Sequence, residues 1–175
     1  MLTDHFHYHN LYVQLIGFAA MIISFAVFQT NKRKQMLVAQ ICSALLWTVH
    51  FFLLGAFTGS AMNFLTAGRN YVFYKAGKSR DVRIPLFLSL AFIAGAIITW
   101  QGPRSLLPLA GSLVGTLAFW QIKTRRIRLF AIAGPCCWLT YNILSKSYAG
   151  MTTDTLVLAS ILIGIYRFDI RRPES

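Results

Sequence analysis

The stretch Val27–Met36, "VFQTNKRKQM", places a glutamine and a run of basic residues at the end of a long apolar segment. A second stretch, Phe119–Arg128, "FWQIKTRRIR", has the same design, and its Gln121 stands 92 positions after Gln29 (121 − 29). Basic residues beside apolar segments are the signal that orients membrane-spanning helices. The doubled phrase therefore predicts two copies of one membrane-spanning unit, each turning on the same side of the membrane.

The composition excludes an ordinary water-soluble domain. The 175 residues are 56% hydrophobic and 14% aromatic, and 13% are charged; the mean hydropathy is +0.56. Soluble domains carry about a quarter charged residues. The net charge of +12 comes from short basic clusters between apolar runs, not from one continuous basic face. Because such clusters flank membrane spans, we expect a membrane protein with no nucleic-acid partner.

Seven segments are long and apolar enough to cross a bilayer, whose core of about 30 Å needs roughly 20 helical residues. Basic residues cluster in the first, third and fifth loops and after the last segment, whereas the other side has only Arg104 and Lys146. The positive-inside rule then predicts the N-terminus outside and the C-terminus in the cytoplasm. The predicted segments are about 11–28, 36–57, 60–75, 85–100, 105–122, 129–147 and 150–167.

Spans one to three resemble spans five to seven under the 92-residue shift, which aligns Arg33 with Arg125 and Tyr74 with Tyr166. A three-helix unit ends opposite its start, so one connecting span is needed for a second unit to run in the same direction. Span four has only Ser89 and Thr99 as polar side chains and is predicted to be this connector, with lipid on all sides. The predicted fold is an all-α membrane protein of two parallel three-helix bundles joined by a linker helix (3+1+3). The units are an outer tail 1–10, a first repeat 11–83, a linker helix 84–102, a second repeat 103–168 and a cytoplasmic tail 169–175.

The end of the first span resembles a known transporter superfamily. Phe-Gln-x-x-x-Arg at 28–33, in a 3+1+3 layout with the N-terminus outside, is similar to the SWEET/PQ-loop (MtN3-like) transporters. The chain departs from that pattern because Phe28 and Trp120 precede the two glutamines where the family has proline. Only Pro135, in span six, is expected to act as a helix hinge.

A closer resemblance, to the YgjV-type bacterial inner-membrane proteins, runs over nearly the whole chain. It implies a multi-pass protein of the bacterial inner (cytoplasmic) membrane, with a periplasmic N-terminal tail, and it implies no particular activity. The stretches that carry it are "VHFFLLGAFTGSA" (49–61), "LTAGRN" (65–70), "CCWLTYN" (136–142) and "YAGMTTDT" (148–155).

Polar and aromatic side chains at mid-membrane depth predict a solute pocket between the two bundles. Ionisable residues at this depth usually line a pathway, so His50 is expected to be functional, for example in proton sensing. Asn63 and Asn142 have the alternative role of bonding a neighbouring helix, and the tryptophans that of packing. For Asp154 the favoured interpretation is a cap of the seventh helix. The predicted pocket residues are Trp47, His50, Asn63, Trp138, Asn142 and Asp154.

Arg69 has two interpretations. Its long side chain either reaches the cytoplasmic interface or faces the bundle interior, where with Asn70 it would bind an anionic group of the substrate. Gln29 and Gln121 are expected to shape the loops by bonding helix-end carbonyls, while neighbouring basic residues bind anionic lipid headgroups.

Neither the cysteines nor the histidines of the outer tail predict a metal site or cofactor. The three cysteines lie in apolar segments without ligand spacing. His5, His7 and His9 alternate along a segment that we expect to be unstructured.

The sequence thus predicts a small-solute transporter, either a facilitator or proton-coupled, for a small polar or aromatic solute. The alternative is a receptor or assembly factor that does not transport, built on the same scaffold. An enzyme is not expected, because catalysis needs a nucleophile–base or paired-carboxylate set that the spans lack. The partners are the solute and the lipid bilayer, and a homo-oligomer is possible.

Overall fold

A computed structural model describes residues 2–79 and 81–171, with side chains from residue 12 onward. Within these residues the chain forms helices joined by short connections, and α6 and α7 run on as one 21-residue rod, Thr124–Leu144. The described part therefore contains seven helical rods, one for each predicted segment. The helices are α1 (Leu2–Val27), α2 (Arg33–Leu53), α3 (Phe57–Ala76), α4 (Arg83–Ile98), α5 (Leu106–Trp120), α6 (Thr124–Ala131), α7 (Ala133–Leu144) and α8 (Tyr148–Gly164), with a 3₁₀ turn Pro103–Ser105 before α5 and a π-helix Ile165–Ile170 after α8.

The first helix starts earlier than predicted. Its backbone is helical from Leu2, so the expectation of an unstructured segment 1–10 is wrong for residues 2–10. An apolar run beginning at Leu11 gives no sign of this extension, because the preceding turns are polar and histidine-rich. The side chains of His5, His7 and His9 lie outside the described part, as do Met1, Arg80 and residues 172–175 of the cytoplasmic tail.

Glycines end α2 and α3 where the backbone takes a left-handed conformation. Gly55 follows α2 with φ of +69°, and Gly77 follows α3 with φ of +61°. Such angles strain residues that have a Cβ atom, so glycine is the usual residue just past a helix end. These two turns reverse the chain between α2 and α3 and between α3 and α4.

The rod of span six is interrupted at Ile132, three residues before Pro135. Proline has no backbone N–H to donate to the carbonyl of Ala131, and its ring crowds that carbonyl. The interruption therefore has a local cause, and it lies at the position where the sequence predicts a hinge.

Six rods form a ring. The α2 helix packs against α1 and α3, and α7 packs against α5 and α8. The ring closes where α1 packs against α8 and where α3 packs against α5. We call the end that carries the connections 28–32, 77–82 and 121–123 the basic end, and the other the opposite end. Phe28, Phe73 and Phe119 pack together at the basic end, and Trp47, Phe51 and Tyr141 pack together at the opposite end.

The α4 helix lies outside the ring, against α3 and α5. Phe92 and Ala96 are buried in that contact, so the prediction of lipid on all sides of span four is wrong for one face. Its other face exposes large apolar side chains, including Phe87 at 73%. Ser89 and Thr99 each donate to a carbonyl of their own helix, which removes the cost of placing their hydroxyls in an apolar environment.

Among the described residues, three helices are long and apolar enough to cross a membrane: Arg33–Leu53, Thr124–Leu144 and Tyr148–Ile170. Tyr12–Val27 and Arg83–Ile98 are shorter apolar helices. Six polar residues of α3 are buried, and Asn63, Arg69 and Asn70 among them lower its hydropathy most.

Candidate functional site

A cavity of about 130 Å³ lies in the middle of the ring. All six ring rods contribute to its wall, and α4 contributes no residue to it. An apolar protein cavity of about 150 Å³ holds one benzene-sized molecule, so this space suits one small solute. Of the eight binding residues predicted from the sequence, six line it: Trp47, Asn63, Arg69, Trp138, Asn142 and Asp154.

Arg69 faces the interior and does not reach the interface. It is 2% exposed, and its Nη1 donates to the carbonyl of Ser112 at 3.1 Å and to Thr116 Oγ1 at 3.4 Å. Gly115 makes room for it, since a Cβ atom there would lie 2.9 Å from Nη1. Nε donates to Oδ1 of Asn70, which is fully buried beside the guanidinium but does not line the cavity. Arg69 therefore lies in the interior and does not reach the interface, while its binding of an anionic group of the substrate stays a prediction.

Asp154 forms a polar pair with Asn142. Asn142 Nδ2 donates to Asp154 Oδ2 at 2.7 Å, joining α7 to α8. The prediction that Asp154 caps its helix is wrong, because Ser147 holds the N-cap position and its Oγ accepts from the backbone N–H of Gly150. Asp154 lies almost two turns into α8, beyond the N–H groups that a cap can reach.

Asn63 bonds within its own helix rather than across helices. Its Nδ2 donates to the carbonyl of Gly59 at 2.9 Å, and its side chain also lines the cavity. The two interpretations offered by the sequence, solute contact and helix–helix bonding, do not include this local bond.

Trp47, Phe51 and Trp138 form an aromatic layer on the side of the cavity that lies toward the opposite end of the ring. Trp47 Nε1 donates to Ser24 Oγ at 3.1 Å. Phe51 lies between Trp47 and Trp138, with ring centroids 5.6 Å and 5.9 Å away, and stacks on Trp138. This layer both packs the ring and forms one end of the cavity wall.

His50 does not line the cavity, contrary to the prediction. It is fully buried at the seam between α1, α2 and α8. Nδ1 hydrogen-bonds the carbonyl of Val13 and Nε2 hydrogen-bonds Ser147 Oγ, both at 2.9 Å. The imidazole ring points to this seam, where both its nitrogens have protein partners, and not to the cavity.

The two glutamines of the doubled phrase differ in their contacts. Gln29 Nε2 donates to Ser160 Oγ at 2.9 Å, across the seam between α1 and α8, and Gln29 Oε1 accepts from Arg167. Gln121 Nε2 donates to the carbonyl of Leu117 within its own helix. A structural role at the helix end is thus visible for both, while Gln29 additionally joins two helices.

Sequence reasoning missed two arginines at the basic end. Arg33, at the start of α2, donates to carbonyls at the ends of two other helices. Its Nη1 reaches Gly77 at 2.8 Å and Phe73 at 3.4 Å in and after α3, and its Nε and Nη2 reach Gln121 and Phe119 of α5 at 2.9 and 3.0 Å. We call these contacts the Arg33 clamp.

Arg128, in α6, makes the corresponding contacts to the other pair of helices. Its Nη1 pairs with Asp169 Oδ1 at 2.7 Å in the π-helix after α8. Its Nη2 donates to the carbonyl of Thr30 at 3.2 Å and to Asn31 Oδ1 at 2.8 Å, just after α1. We call these contacts the Arg128 clamp. The 92-residue shift does not identify this clamp, because it pairs Arg33 with the exposed Arg125 and Arg128 with Met36.

Among the described residues, no group of histidine, cysteine, aspartate or glutamate is arranged to hold a metal ion. Cys42 and Cys136 are exposed on the outer surface of the ring, and Cys137 is half-buried.

Comparisons with known proteins agree with the closer of the two resemblances. Residues 11–172 match the model of the Imp-YgjV family, described as a bacterial inner membrane protein. The chain is 27% identical to the inner membrane protein YgjV of Escherichia coli (strain K12) over 157 residues, which cover 89% of this chain and 83% of that protein. No solved structure gives a significant match.

Proposed function

The chain belongs to the Imp-YgjV family of bacterial inner membrane proteins, and we propose that it transports a small solute across that membrane. The observation that carries this proposal is the central cavity, whose wall, over the part of the chain that the structure describes, is neutral apart from one arginine and one aspartate. Charged groups inside a membrane-spanning ring are costly, and in membrane proteins they mark pathways for substrates or ions.

The packing of the helices supports two equivalent bundles. One consists of α1–α3 and the other of α5–α8, and α4 belongs to neither. Under the 92-residue shift, the contact of α1 with α8 corresponds to the contact of α5 with α3. Both bundle-to-bundle contacts are present, and α4 joins the bundles from outside. This is the arrangement expected for parallel repeats related by an axis along the membrane normal. We propose the 3+1+3 layout, with seven spans, the N-terminus in the periplasm and the basic end in the cytoplasm.

Alternating access would then be a rocking of the two bundles. At the basic end, each clamp connects the second helix of one bundle to the first helix of the other. Arg33 of α2 bonds the end of α5, and Arg128 of α6 bonds the residues just after α1. At the opposite end, the aromatic layer and the His50–Ser147 hydrogen bond join the bundles. Breaking one set while the other holds would open the cavity to one side at a time. Pro135 lies beside the interruption of its rod, where such a movement would bend it.

Asp154 is the residue at which a facilitator and a proton-coupled carrier would differ. A carboxylate that is 9% exposed, with one amide donor as its partner, can take part in proton transfer between the two sides. A proton-coupled carrier loses accumulation against a gradient when Asp154 becomes Asn, whereas a facilitator keeps its downhill flux.

The test is uptake by proteoliposomes, with panels of sugars, amino acids, vitamins and nucleosides. Ala44→Trp fills the cavity without removing a polar group, because Ala44 is buried in its wall. Leu45→Trp is the matched control, since the adjacent Leu45 is 46% exposed on the outer surface. We expect Ala44→Trp to abolish uptake and Leu45→Trp to retain it. If no solute of the panels moves, or if both variants transport equally, the proposal is wrong.

The alternative is a receptor or assembly factor that uses the same cavity or ring without flux. It predicts that a ligand stabilises the purified protein or that a partner co-purifies from gently solubilised membranes, while proteoliposomes never take up that ligand. The cavity favours transport because helices of both bundles share its wall, so that a movement of one bundle against the other would open it.

A further inference from the structure

We propose that the cavity binds a small zwitterion, with its carboxylate at Arg69 and its ammonium group at Asp154. This inference rests on the proposed function, since it names the substrate class of the transport cavity. Two groups in the cavity wall lack a partner of opposite charge among the described residues, and they lie on opposite sides of the ring.

The first pole of the cavity offers unused hydrogen-bond donors. Arg69 Nη2 has no hydrogen-bond partner among the described residues, and the partners of Nη1 and Nε are all neutral oxygens. Ser112, which also lines the cavity, has a buried hydroxyl without a partner. A buried guanidinium without an anion is costly, and a carboxylate can accept hydrogen bonds from Nη2 and from the Ser112 hydroxyl. This pole fits a carboxylate.

The second pole offers an unused acceptor. Asp154 Oδ2 accepts from Asn142, while its Oδ1 has no hydrogen-bond partner among the described residues. No described lysine or arginine pairs with Asp154, although it lines the cavity. This pole fits an ammonium group.

The two charged groups face one cavity from opposite sides of the ring. Arg69 lies on α3 and Asp154 on α8, which are the rods at opposite positions in the ring, and both side chains line the cavity of about 130 Å³. A cavity of that volume limits the ligand to one small molecule, such as an α- or β-amino acid.

A neutral polar solute such as a sugar fits this wall less well. The hydroxyls of a sugar would make hydrogen bonds, but they would leave the guanidinium without an anion and the carboxylate without a cation. In a low-dielectric site, such unpaired charges make the site reject the wrong ligand. A simple anion or a simple cation would neutralise one pole only. The zwitterion is the class that pairs with both.

The test measures binding to the purified full-length protein in detergent by isothermal titration calorimetry. The probes are alanine (both charges), propionate (carboxylate only), ethylamine (ammonium only) and glucose (neither). We expect alanine to bind about tenfold or more tighter than either singly charged probe, because one charge-assisted contact is worth at least that factor.

Two variants assign the poles. Asp154→Asn is expected to weaken alanine to the level of propionate and to leave propionate unchanged. Arg69→Gln is expected to abolish propionate binding and leave ethylamine unchanged. The controls are Asp81→Asn and Arg125→Gln, the same chemical changes at exposed positions. Should Arg69→Gln fail to fold, Gly115→Ala displaces the guanidinium and keeps its charge.

Two results would overturn the inference: glucose binding as tightly as alanine, or propionate binding as tightly as alanine with no effect of Asp154→Asn. The ranking of the four probes on the unmodified protein decides even if no variant folds. Uptake of glucose without binding of alanine would leave the transport proposal standing and refute this one. Binding of alanine without uptake of any solute would refute the transport proposal and leave the zwitterion site standing.

Discussion

Replacing Arg128 tests whether the clamps hold the two bundles together. The side chain of Arg128 is fully buried, and that of its partner Asp169 is 6% exposed. Removing one member of a buried ion pair leaves an uncompensated charge and costs about 3–5 kcal/mol. We therefore expect Arg128→Met to lower the free energy of unfolding by about 3–5 kcal/mol.

The double variant Arg128→Met/Asp169→Leu separates the charge from the cross-bundle hydrogen bonds. Replacing both members of a buried pair by apolar residues is often neutral. What then remains lost is the pair of bonds to Thr30 and Asn31, worth about 1–3 kcal/mol together. The double variant should accordingly be more stable than the single variant Arg128→Met.

The assay is reversible unfolding in mixed detergent micelles, followed by circular dichroism. Arg125→Met is the matched control, because Arg125 lies in the same helix and is exposed. It should change stability by no more than about 0.5 kcal/mol. If Arg128→Met is no less stable than this control, or if the double variant is less stable than the single one, Arg128 does not act as a clamp.

Three further predictions concern the seam, the polar pair and the orientation. His50→Phe should lower stability by about 1–3 kcal/mol, since Val13 O and Ser147 Oγ each lose the hydrogen bond to the imidazole ring. It should leave solute binding unchanged, and loss of binding at unchanged melting temperature would show that His50 acts on the solute. Gly150→Ala should destabilise by about 1–3 kcal/mol and abolish binding, because a Cβ atom there would overlap the Asn142 amide; a well-folded variant with normal affinity would contradict this. A C-terminal green fluorescent protein should fluoresce in cells and a C-terminal alkaline phosphatase should be inactive, whereas the reverse pattern would invert the proposed orientation.

The sequence predicted the helices well because the evidence for them is local. Apolar length and the alternation of basic loops are read within each segment, and each predicted segment is a helical rod in the structure. The family was also predicted correctly, from short stretches of residues. The 3+1+3 arrangement, the orientation and the link to SWEET-like transporters stay predictions.

The site was harder to predict because depth does not determine direction. Trp47 and His50 lie one turn apart on α2, yet Trp47 lines the cavity and His50 points to the seam with α1 and α8. Which of them faces the centre depends on how α2 is rotated against its neighbours, which no local pattern records. The Arg128 clamp was not predicted for a similar reason. Arg128 and the exposed Arg125 are the same residue type in one basic run, and the sequence does not show which of them faces inward.

Among the described residues the cavity wall has one arginine and one aspartate, and this has a consequence for how such a chain can arise by gene duplication. Under the 92-residue shift Arg69 corresponds to Ile161 and Asp154 to Met62, and both counterparts are fully buried apolar residues. A homodimer of identical three-helix chains would carry every charge twice, so its cavity would be the same on both sides of its axis. Joining the two copies in one gene lets each half mutate independently, and only then can one cavity have a positive and a negative side.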